Sequence, residues 1–199
     1  DLFNGESVAT LDRQIDALAQ DSDFIICDTP GRDDPFTRQL AARADTLVTP
    51  INDSFIDFDL IGEVDPDTFR VVRPSFYSEL IWDTRKARAK SDGRTIDWVI
   101  LRNRVQHVEA RNMRRVGEAL DQLARRVGFR VIPGLGERVI YRELFPAGLT
   151  LLDKAHLGGM GLAHVVARQE LREALSGLAL PQRERLHPDG DLFAPQPAD

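Results

Sequence analysis

Apolar positions along the chain alternate between two rhythms, one helical and one extended. Val8, Leu11, Ile15 and Leu18 stand three and four apart, the spacing of one helix face. After Asp23 comes the unbroken run Phe24-Ile25-Ile26-Cys27, which has the length of a strand. Runs of this kind fit strands buried on both faces, as in parallel sheets covered by helices. The rhythm repeats. Phe36, Leu40, Ala41 and Ala44 lead into Thr46-Leu47-Val48-Thr49-Pro50, and a longer connection leads to Asp97-Trp98-Val99-Ile100-Leu101. Met113, Val116, Leu120, Leu123 and Val127 then mark a helix, and Phe129-Arg130-Val131-Ile132-Pro133 the next strand. Such alternation predicts an α/β fold with a mainly parallel twisted sheet flanked by helices. Ligands of such sheets bind beyond the carboxyl ends of the strands.

Two stretches depart from the rhythm. Between Asp53 and Arg94 prolines and acidic residues interrupt it, while Phe76, Tyr77, Leu80, Ile81 and Trp82 form an apolar cluster, so a partly helical insertion covering the sheet is expected there. Leu162, Val165, Val166, Leu171, Leu175 and Leu178 predict a terminal helix, after which Pro181, Pro188, Pro195 and Pro197 punctuate a polar tail. Residues 1–180 thus read as one domain and 181–199 as a disordered tail.

Composition narrows the classes. With 199 residues, 42% of them apolar, the chain can bury a core, which excludes a wholly disordered protein. A net charge of -6 excludes a uniform basic field for nucleic acid or membrane. The charge is uneven, however: residues 102–130 hold 8 basic and 3 acidic side chains, so any such binding must be local. No apolar stretch approaches the roughly 18 residues of a membrane span, and the first residues lack the pattern of a signal peptide, so a cytoplasmic chain is expected. The single cysteine, Cys27, has no disulfide partner and reads as a small buried hydrophobe.

Candidate chemistry begins at the end of the first predicted strand, with Asp28-Thr29-Pro30-Gly31. An apolar strand that delivers a carboxylate and turns through Pro-Gly is the Walker B and switch arrangement of P-loop NTPases, where the acid holds Mg²⁺ through water. A strand ending in an Asp that caps a turn fits the same residues. The glycine-rich phosphate cradle G-x-x-x-x-G-K-[ST] is absent from the sequence, and Leu157-Gly158-Gly159-Met160-Gly161 reads as a turn before the last helix. Asn103 and Arg104 follow a later strand, where an amide could read an adenine edge and a guanidinium stack on the base, with Pro133-Gly134-Leu135-Gly136-Glu137 as a wall of the pocket. Arg111, Arg114 and Arg115 share a helix face, either as solvated surface or as a sequence-independent reader of phosphates. His107, His156, His164 and His187 are scattered without ligand partners.

These residues carry a resemblance. Asp28-Thr29-Pro30-Gly31, the string from Thr49 to Asp59, Trp98 to Arg104, Glu109-Ala110-Arg111-Asn112 and Arg138 to Pro146 resemble the MipZ family of ParA/MinD-type deviant Walker A ATPases, which position the bacterial division plane. The resemblance covers about residues 15–180. It implies ATP and Mg²⁺ as cofactors, an ATP-dependent homodimer, non-specific DNA binding on the nucleoid, association with ParB and inhibition of FtsZ assembly. Asp28 matches the Mg²⁺-associated acid, Asn103 the adenine-reading residue, and Arg111 and Arg115 positions associated with DNA binding. In the family an initial strand, the deviant Walker A loop and the first switch stand before the counterpart of Asp1. The chain is therefore expected to be an N-terminally truncated piece, the carboxyl-terminal two thirds of the ATPase domain, inactive in hydrolysis as it stands. Two other readings remain open: a non-enzymatic module that binds DNA or a partner, and a ParA-type partition ATPase.

Overall fold

The computed structural model describes residues 8–105, 110–153 and 161–180. Helix α1 (Val8–Leu18) is followed by α2 (Pro35–Arg43), which starts cleanly: the Asp34 side chain accepts from the Thr37 backbone N–H at 2.8 Å, and Pro35 occupies the first turn, where no N–H is needed. The two helices are tied by Arg43, which reaches Asp12 at 3.1 Å and Asp16 at 2.6 Å. Three strands form the parallel sheet: β1 (Thr46–Asn52), β4 (Asp97–Asn103) and β5 (Arg130–Ile132), in the order β1-β4-β5. The register runs from Thr46 opposite Asp97 to Asn52 opposite Asn103, and from Val99 opposite Arg130 to Leu101 opposite Ile132. The expected α/β class, with a mainly parallel sheet flanked by helices, is what the chain adopts.

The irregular stretch between β1 and β4 builds four elements: α3 (Phe55–Phe58), the antiparallel pair β2 (Gly62–Val64) and β3 (Val71–Pro74), and α4 (Phe76–Asp92). Only α4 follows the expected apolar cluster, and it buries Ile81 while Phe76 stays exposed. Helix α5 (Ala110–Val127) lays Val116, Leu120, Leu123 and Val127 on the sheet, where they meet Trp98, Ile100, Ile51, Phe58 and Ile61. Each such fully buried side chain stabilises the fold by about 1.5–3 kcal/mol. Polar side chains at the sheet pair across it: the Trp98 indole N–H donates to Thr49 Oγ1 at 3.0 Å, and that hydroxyl lies 2.9 Å from Tyr77 Oη. A smaller cluster joins α6 (Val139–Leu144), Leu151 and α7 (Leu162–Gly177). Arg130 fastens the end of α7 to β5 by donating to the Gly177 carbonyl at 3.0 Å.

Two expectations fail here for one reason. Residues 23–27 form no strand, and Phe24 and Ile26 are 54% and 92% exposed; Cys27 is exposed rather than buried. A strand is held by its ladder partners. Among the described residues, β1 pairs only with β4, and no strand pairs with its other edge or with residues 23–27. Hydrophobicity alone therefore leaves that run extended and wet. No helix among the described residues is long and apolar enough to cross a membrane. The predicted tail and most of the glycine cluster lie outside the described residues, although Gly161 caps α7 as a turn residue should.

Candidate functional site

The carboxyl ends of β4 and β5 are held together beyond the last strand residues. Arg104 turns the chain with a φ of 49°. Val105 then bridges Gly136, its N–H donating to the Leu135 carbonyl at 3.0 Å, while the Leu135 N–H donates to the Arg102 carbonyl at 2.9 Å. Gly134 makes this approach possible, because a Cβ there would stand 2.7 Å from the Arg102 carbonyl oxygen and 2.8 Å from Val105 Cγ2. The result is a cavity of about 270 Å³ lined by Asn103, Arg104, Tyr141, Arg142 and residues 135–138.

Its walls are fixed from below. Arg138 donates to both carboxylate oxygens of Glu170 on α7, at 2.9 and 2.5 Å, and Glu170 also accepts the Gly136 N–H at 3.2 Å. The Glu170 hydrogen bond raises the Arg138 pKa above its ordinary value, so this cation is permanent. Burial is the main cause that pushes the Tyr141 phenol up, and its buried hydroxyl has no hydrogen-bond partner among the described residues. Asn103, half-buried, offers both a donor and an acceptor. Arg104 and Arg142 are exposed at the rim. An amide edge, an aromatic side chain and planar cations suit a planar heterocycle carried by an anionic group.

Of the sequence-predicted residues, Asn103 and Arg104 line this cavity. Of the expected wall, Leu135, Gly136 and Glu137 line the cavity together with Arg138, Gly134 stands behind it as the close-packed support, and exposed Pro133 is not in the lining. Asp28, Thr29, Pro30 and Gly31 are exposed and do not line the cavity; their backbone turns with the Arg32 N–H donating to the Pro30 carbonyl at 2.7 Å. Among the described residues no group of three or more His, Cys, Asp or Glu side chains is arranged for a metal ion.

Sequence reasoning missed the ion pair beside Asn103. Arg102 bonds through Nε and Nη2 to Asp53 at the end of β1, and Nη2 also donates to the Met113 carbonyl of α5 at 3.2 Å. The Asp53 side chain is 5% exposed. The only sequence signal was an Arg next to Asn103 and an Asp after a strand, which become neighbours once the parallel register is known. Beyond this pair, α5 carries the basic face. Arg111 is exposed; Arg114 is exposed and lies 3.7 Å from Glu118; Arg115 is half-buried, its guanidinium carbon 4.3 Å from the centre of the Phe69 ring.

A parallel sheet flanked by helices, with a cavity at the carboxyl ends of the strands that Asn103 helps to line, agrees with the ParA/MinD-like P-loop NTPase class of α/β proteins. The family model for the ATPase MipZ matches residues 2–182. The chain belongs to the MipZ family. No curated protein sequence gives a significant match to the chain.

Proposed function

We propose that this protein acts as a MipZ-type ATPase in bacterial division-site placement, forming an ATP-dependent homodimer that binds DNA non-specifically, associates with ParB and inhibits FtsZ assembly. Its location is then cytoplasmic and nucleoid-associated. The observation that carries the reading is the cavity in which Asn103 faces the braced segment 135–138. In this reading Asn103 pairs with the adenine edge, Arg104 stacks on the base, and Pro133 and Gly134 support the wall. The residues fit the base end of ATP. For the phosphate end the sequence offers no Gly-Lys cradle, and for Mg²⁺ it offers Asp28, with Thr29, Pro30 and Gly31 as the switch turn. When bound, Mg²⁺ would neutralise phosphate charge. Arg111, Arg114 and Arg115 are the proposed phosphate contacts to DNA.

The test uses a form of the protein that carries the family's Walker A loop. ATP should bind in preference to GTP, and Asn103→Ala should erase that preference; an unchanged preference removes Asn103 from the base pocket. The ATP-bound protein should suppress FtsZ polymerisation measured by light scattering. Unaltered polymerisation would leave the family fold without the proposed division role.

A further inference from the structure

The side of α5 that bears Arg115 lies against the β2–β3 hairpin. The Val71 N–H donates to Gln122 Oε1 at 3.3 Å, and Arg126 Nη1 donates to the Val72 carbonyl at 3.1 Å, so helix and hairpin share a fixed register. The connection between the strands is tightly built. The Asp65 carboxylate accepts from the Thr68 N–H at 2.8 Å and from its hydroxyl at 2.7 Å, and the Asp65 carbonyl accepts the Phe69 N–H at 2.9 Å. In this turn Phe69 has a φ of 57°, a left-handed conformation that is an outlier for a bulky side chain. Such backbone strain persists only where the surroundings hold it.

The strained residue places its ring between two partners: the ring of Phe55, 5.1 Å away, and the Arg115 guanidinium at 4.3 Å. A guanidinium stacked on an aromatic ring uses its face, while its five N–H donors lie at the edge of the plane. Among the described residues no hydrogen bond or ion pair engages those donors of Arg115. Arg114 differs, being held toward Glu118 on its own helix. Stacking also removes much of the rotamer freedom that a long cation must otherwise give up when it binds.

We propose that Phe69 is a positioning residue for phosphate recognition: its left-handed turn presents the ring on which Arg115 is stacked, leaving the guanidinium edge ready for a backbone phosphate of nucleic acid. The proposal rests on the DNA-binding reading of α5. It adds the hairpin, which the sequence pattern did not connect with the basic face.

The test measures duplex DNA binding with ATP, by the form of the protein that carries the Walker A loop, over a salt series, for wild type, Arg115→Ala, Phe69→Leu, Phe69→Tyr and the double variant Phe69→Leu/Arg115→Ala. Arg115→Ala should lower the log-log salt slope by about 0.9 for each phosphate it no longer neutralises. Phe69→Leu should weaken binding roughly 2- to 5-fold, Phe69→Tyr should retain wild-type affinity, and the double variant should bind no worse than Arg115→Ala. The Arg115 side-chain proton resonances should be shifted upfield by the ring in wild type and Phe69→Tyr, and lose that shift in Phe69→Leu. If Arg115→Ala keeps wild-type affinity and slope, the DNA reading of this face fails. If Arg115→Ala weakens binding but Phe69→Leu does not, only the positioning role is overturned. Should Phe69→Leu fail to fold, Phe69→Tyr decides: loss of affinity or of the upfield shift there overturns the role, and retention of both supports it.

Discussion

Replacing Gly134 by alanine adds one methyl group at the place where β4 and β5 must stay close for the cavity to exist. Gly134 does not have a positive φ, so the residue is there for space and not for conformation. The new Cβ would meet the Arg102 carbonyl oxygen at 2.7 Å, Val105 Cγ2 at 2.8 Å and Arg102 Cβ at 2.9 Å. Two of these are parts of a strand that cannot swing away as a surface side chain can. Relief requires residues 133–137 to move off residues 102–105, which strains the bonds from Leu135 to Arg102, from Val105 to Leu135 and from Glu137 to Val105. Overpacking of this kind costs about 1–3 kcal/mol, and each hydrogen bond weakened adds roughly 1 kcal/mol. With a urea slope of about 1–3 kcal/mol per molar, the unfolding midpoint should fall by roughly 1 M. Urea titration followed by tryptophan fluorescence checks this, because Trp98 lies in the core on β4, the strand that carries Arg102. Gly31→Ala is the control: a Cβ there meets nothing within 4 Å, so its midpoint should not move appreciably. Equal midpoints for Gly134→Ala and Gly31→Ala would refute the claim that the cavity is held shut from behind by backbone contact.

Three other perturbations separate structure from site. Asp53→Ala strands the Arg102 cation in a nearly buried setting and should cost about 3–5 kcal/mol, whereas Arg114→Ala breaks an exposed pair worth roughly 0–1 kcal/mol; similar losses in chemical denaturation would contradict the buried-pair account. Asp34 is held at about 2, below its ordinary 3.8, chiefly by the Arg32 hydrogen bond and then by the Thr37 N–H. A folded-state value below the unfolded one gives stability that is present above pH 3.8 and lost as pH falls toward 2, so NMR titration should find the Asp34 carboxyl midpoint near 2, and a midpoint at 3.8 would remove the cap. In the form of the protein that carries the Walker A loop, Asp28→Ala should reduce Mg²⁺-dependent ATP hydrolysis; wild-type turnover would dismiss the Walker B assignment.

How much of this was legible depends on how local each cause is. The helix face of α5 was readable because Val116, Leu120 and Leu123 repeat at helical spacing and are fully buried on the sheet. The strands β1, β4 and β5 were readable for the same reason, as short apolar runs between helices. Phe24 to Cys27 has the same composition, yet pairing is a relation between segments, and none of the described strands supplies a partner. The β2–β3 hairpin was hidden because its strands are short and partly polar, and because the turn that sets Phe69 depends on Asp65 side-chain bonds. At the site, Asn103 and Arg104 could be found from their place after a strand. The brace of Arg138 on Glu170 could not, since 32 positions separate the two residues and only the packing of α7 brings them together.

The most direct measurement is a crystal structure of the form of the protein that carries the Walker A loop, with a slowly hydrolysed ATP analogue. The account predicts the adenine ring in the cavity between Asn103 and residues 135–138, with the Asn103 amide hydrogen-bonded to the base edge. A base bound anywhere else, with that cavity empty, would contradict it.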